Sequence, residues 1–63
     1  MVVVAQMPTV SDLYLLKNYI ESRGYSAYII EQYDSYALSF PLYVKEKDYT
    51  AIKSIVDDYF KKR

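Results

Sequence analysis

The side chains able to do chemistry are few in this sequence, and they are poorly placed for it. Asp57 and Asp58 are the one adjacent acidic pair. Neighbours on a helix point about 100° apart, so the two carboxylates cannot share a proton or a site. Each also has a lysine one turn further on, Lys61 and Lys62, which is the pattern of a solvated helix face. Glu31 and Asp34 could touch a cation, but two carboxylates are too few for calcium. Ser11, Ser22, Ser26, Ser35, Ser39 and Ser54 have no histidine to activate them, because the chain contains none. Without cysteine or histidine there is neither a disulfide framework nor an ordinary zinc or copper site. Gly24 is the only glycine, and phosphate-cradling loops need several. These residues predict a protein that is not an enzyme and that carries no cofactor and no metal.

Sixty-three residues make a single domain, 1 to 63, close to the lower limit for independent folding. Small domains usually add disulfides, a metal or a second copy to their core. Disulfides are closed to this chain and a metal would need a cluster of several carboxylate oxygens for a hard cation, so oligomerisation is the expected addition. Eight acidic and eight basic residues give a formal charge of zero, which is no footprint of a nucleic-acid or membrane-surface protein. The apolar run at the N-terminus is too short for a membrane span or a signal-peptide core, and the expected location is cytoplasmic, with no membrane partner. Nine tyrosines supply large apolar bodies with one polar end.

The elements that would position these residues follow from periodicity. Met1 to Gln6, with three consecutive valines, reads as a strand apolar on both faces. Pro8 stops it, and Thr9 with Asp12 three residues on has capping-box spacing. Val10, Leu13, Leu16 and Ile20 then recur at helical spacing up to Gly24, predicting a helix over 10 to 23 with Leu15 at the edge of its stripe. Residues 25 to 31 and 36 to 44 have strand composition on either side of the polar stretch 32 to 35, of hairpin length. Pro41 falls inside the second of these strands and predicts either a bulge or a break there. Tyr49, Ile52, Val56 and Tyr59, flanked by Ile55 and Phe60, make a second helix over 46 to 61. The order strand, helix, strand, strand, helix predicts an α+β domain: a three-stranded antiparallel sheet in order 1-3-2 with both helices on one face, a ferredoxin-like βαββα unit.

With the elements placed, Val2-Val3-Val4-Ala5 before Met7-Pro8-Thr9, Ile20 to Tyr25 before Ala27-Tyr28-Ile29, and Leu42 to Tyr49 resemble stretches of a known family. It is a small prokaryotic family of unknown function, described as signal-transducing proteins. The resemblance implies a ferredoxin-like fold akin to that of the nitrogen-regulatory PII proteins. It implies no catalytic residue, and no nucleotide site is carried over, because the effector-binding loops of PII proteins have no counterpart here.

If Tyr25, Ala27, Ile29, Leu38, Phe40, Leu42 and Val44 face the helices, then Val2 or Val4 or both, Tyr28, Ile30 and Tyr43 are left on the other face. The first strand also becomes an open edge with no charge, bulge or proline in it. The expectation is a small regulatory or protein-interaction domain acting as a homodimer, with Val2, Val3, Val4, Tyr28, Ile30 and Tyr43 as partner-binding residues at the edge or on the sheet face. An unidentified protein partner is a further expectation. A nucleic-acid-binding module of archaeal or viral origin, stacking bases on the sheet tyrosines beside the basic end Lys61-Lys62-Arg63, is the second reading.

Overall fold

The computed structural model describes residues 1–30 and 38–62. Its elements are β1 (Val2–Met7), α1 (Val10–Glu21), β2 (Tyr28–Ile29), β3 (Phe40–Val44) and α2 (Tyr49–Lys61), the last entered through a 3-10 turn at Glu46–Asp48. The stretch 32 to 35, expected from its length to be a hairpin turn, lies outside the described residues, as do Glu31, the first two residues of the strand expected over 36 to 44, and Arg63.

Local chemistry sets the ends of α1. Thr9 is extended, and its hydroxyl oxygen accepts from the Asp12 N–H at 3.2 Å, satisfying one of the four orphan donors of the first turn. At the other end the Tyr25 N–H donates to the Ile20 carbonyl and the Gly24 N–H to that of Glu21. This pair of bonds is the Schellman arrangement, which needs a left-handed residue, and Gly24 supplies it at φ +89°. The helix closes at Glu21, so Arg23 lies beyond its last turn. The Arg23 guanidinium lies 4.3 Å from the centre of the Tyr19 ring and donates to the Tyr19 hydroxyl at 2.6 Å.

The sheet is antiparallel, with strand order β1-β3-β2. Leu42 and Val44 point to one side of β3 and are fully buried, together with Leu13, Leu16 and Ile20 of α1 and Ile52 and Val56 of α2. Val4, Met7 and Ala27 complete that cluster, and Tyr25, Ile29 and Phe40 pack against it. Each of the larger aliphatic side chains contributes on the order of 1.5–3 kcal/mol through burial. Tyr19 and Tyr59 meet edge to face at 5.1 Å and tie the C-terminal parts of the two helices together.

Several sequence expectations are corrected, beginning with the second strand, which is expected over 25 to 31 and spans only Tyr28–Ile29. Leu38 does not face the helices; it precedes β3 and is 93% exposed. Pro41 marks neither a bulge nor a break, since β3 runs through it opposite Gln6. The accommodation is on the other side, where the β2 ladder covers only Tyr43 and Leu42 and stops short of the residue that has no N–H to donate. The bulge is in β1: Val3 pairs with Tyr43 and Ala5 with Leu42, so the register shifts around Val4. The first strand is therefore not the unbroken flat edge its sequence predicts.

Candidate interaction surface

The bulge decides which side chains β1 sends to each face. Strict alternation would place Val3 with Ala5 and Val4 with Gln6. With one extra residue accommodated, Val2, Ala5 and Met7 lie opposite Val44, Leu42 and Phe40 on the core side, and Val4 is buried there too. Val3 and Gln6 lie opposite Tyr43 and Pro41 on the other side, and both are exposed. Val2 and Val4 are thus removed from the outer face: Val4 is only 5% exposed and Val2 packs against the core.

What remains on the outer face forms a row. Val3 of β1, Tyr43 of β3 and Tyr28 of β2 are direct cross-strand partners, so one apolar line crosses all three strands. Val3 is 38% exposed, and both tyrosines are half-buried. Ile30 follows β2 two residues after Tyr28 and is 46% exposed. Beyond the row the face turns polar, where the Ser39 hydroxyl donates to Gln6 Oε1 at 2.7 Å. None of Val3, Gln6, Tyr28, Ile30, Ser39, Pro41 and Tyr43 is charged.

A second feature lies at the edge. An open groove of about 390 Å³ runs between the start of β1 and the entry to α2, lined by Val2, Val3, Glu46, Tyr49 and Thr50. Sequence periodicity assigns Tyr49 to the buried stripe of the second helix, but its ring is exposed at the rim of this groove. The spacing 46, 49, 50 could have flagged a shared helix face; nothing in it announces that the face overlooks β1.

Three of the polar residues weighed for chemistry, Ser22, Ser39 and Asp57, have structural partners. The Ser22 hydroxyl donates to the Tyr19 carbonyl at 2.6 Å, and Ser39 is held by Gln6. Asp57 pairs backwards with Lys53 at 3.6 Å, one turn before it, rather than forwards with Lys61. Among the described residues no group of three or more metal-ligating side chains comes together. No described helix is long and apolar enough to cross a membrane. Comparison of the chain with protein-family models, curated proteins and solved structures finds no match.

Proposed function

We propose that the protein is a small non-catalytic interaction domain that acts as a homodimer through the side of the sheet its helices leave open. The observation that carries this reading is the row Val3-Tyr43-Tyr28, apolar across all three strands on the face turned away from the core. Continuous apolar rows on a sheet face are normally covered, and this chain has neither disulfide nor histidine or cysteine metal ligands to reinforce a small core. The bulge at Val4 twists and interrupts the β1 edge, which favours the face over edge-to-edge pairing. Strand order β1-β3-β2, with one helix between β1 and β2 and another after β3, supports describing the domain as a ferredoxin-like βαββα unit.

The second reading, single-stranded nucleic acid stacked on Tyr28 and Tyr43, is favoured by the pairing of the two tyrosines across adjacent strands. It is disfavoured by the lack of any cation among the described residues of that face. Tyr43→Lys separates the two. The substitution replaces a half-buried ring in the middle of the row, and truncating a central interface tyrosine commonly costs about 2 kcal/mol, roughly thirtyfold in Kd. The expected result is a folded protein of halved mass by light scattering, with no binding of a labelled oligonucleotide by wild type at either of two salt concentrations. Salt-sensitive oligonucleotide binding that Tyr43→Lys changes, with no change of mass, would overturn the dimer reading in favour of the second.

A further inference from the structure

The groove beside β1 is built differently from the sheet face, and its chemistry points to a different occupant. Its floor is Val2 and Val3, the two strand residues before the bulge, and its wall is Glu46, Tyr49 and Thr50. Glu46 opens the 3-10 turn, and Tyr49 and Thr50 are the first two residues of α2. Spacings of three and four residues bring these side chains onto one side of the element. Glu46 is exposed, is the one charged residue of the lining, and makes no ion pair among the described residues. The Tyr49 ring is exposed beside it, and Thr50 adds a hydroxyl. A carboxylate, an aromatic ring, a hydroxyl acceptor and an apolar floor are together the set that suits a guanidinium on an aliphatic stem. The planar fork pairs with the carboxylate, its face can lie on the ring, and the methylenes cover the valines. β1 is also an edge of the described sheet, with β3 on one side only, so it can accept backbone hydrogen bonds from an extended segment. The bulge after Val3 limits such pairing to a short segment, which leaves a single side chain to be read.

We propose that this groove is a docking site for an extended, arginine-bearing segment of a partner polypeptide, with Glu46 taking the guanidinium. Val3 is shared with the sheet-face row, but the residues that read the side chain, Glu46, Tyr49 and Thr50, are on the 3-10 turn and α2 and have no part in it. The test is a nuclear magnetic resonance titration of the isotopically labelled protein with the capped tripeptide Val-Arg-Val, against the same peptide carrying citrulline in place of arginine. Citrulline keeps the shape and loses the charge. The expected result is shifts confined to Val2, Val3 and residues 46 to 50, with the arginine peptide bound about tenfold more tightly, as a charge-assisted bidentate contact requires. Glu46→Gln, an exposed and nearly isosteric change, is expected to erase that preference while leaving the spectrum of the core intact. Equal affinity for the two peptides, shifts located elsewhere, or a preference that survives Glu46→Gln would each overturn the proposal. So would concentration-dependent shifts at Glu46, Tyr49 and Thr50 without peptide, since these residues, unlike Val3, have no part in the sheet-face row and would put a second copy in the groove.

Discussion

The distinction between buried and exposed apolar residues is sharpest at Leu42 and Leu38, two leucines four positions apart. Leu42 is fully buried in the core cluster and Leu38 almost fully exposed. Leu42→Ala removes a side chain whose space cannot fully collapse, at a cost of about 2–5 kcal/mol, whereas Leu38→Ala is expected to change stability by no more than about 0.5 kcal/mol. Urea unfolding of the two variants measures both. Gly24 gives a different kind of residue-scale prediction. A Cβ built there meets nothing within 4 Å, so Gly24→Ala introduces no clash. Its cost comes from holding an alanine at a left-handed φ, about 1 kcal/mol by the same urea assay. A cost near zero would mean that the helix ends differently from the bonds to Ile20 and Glu21 described above.

Among the elements, the helices were legible in the sequence and the sheet only in outline. Val10, Leu13, Leu16 and Ile20 announce α1 because helical periodicity is local: every residue that matters is within one turn of the next. Thr9 and Gly24 mark its ends for the same reason, through bonds to residues three to five positions away. The bulge in β1 had no such signal, because it is defined by which residues of β3 lie opposite, across more than thirty positions of chain. Consequently the expectation that Val2 or Val4 or both lie on the outer face fails for both, and Ala5 was left unassigned, while Tyr28 and Tyr43 lie opposite one another on the face expected of them. Leu38 was misread by extending a period of two past the point where β3 begins. The bulge makes a prediction that strict alternation reverses. Ala5→Lys places a cation against the core and is expected to destabilise by about 2–3 kcal/mol. Gln6→Lys places one on the exposed face and is expected to stay within about 0.5 kcal/mol. Thermal and urea unfolding of the pair decide between the two registers; a tolerated Ala5→Lys with a damaging Gln6→Lys would contradict the bulge.

At the scale of the whole molecule, the short dimension is the informative one. The Cα trace extends 31 × 26 × 15 Å, which is the thickness of one sheet with one layer of helices on it. Among the described residues one face of the sheet has no second layer on it, and that face carries the row of Val3, Tyr43 and Tyr28. Zero formal charge offers little electrostatic resistance to two copies meeting there. If folding and association are linked in this way, the apparent unfolding midpoint should rise with protein concentration, and Tyr43→Lys should remove that dependence. The central claim is tested most directly by sedimentation equilibrium of the wild-type chain from low to high micromolar concentration. The account predicts a reversible approach to twice the 7.4 kDa chain mass, whereas a single species at the monomer mass across the whole range would contradict it.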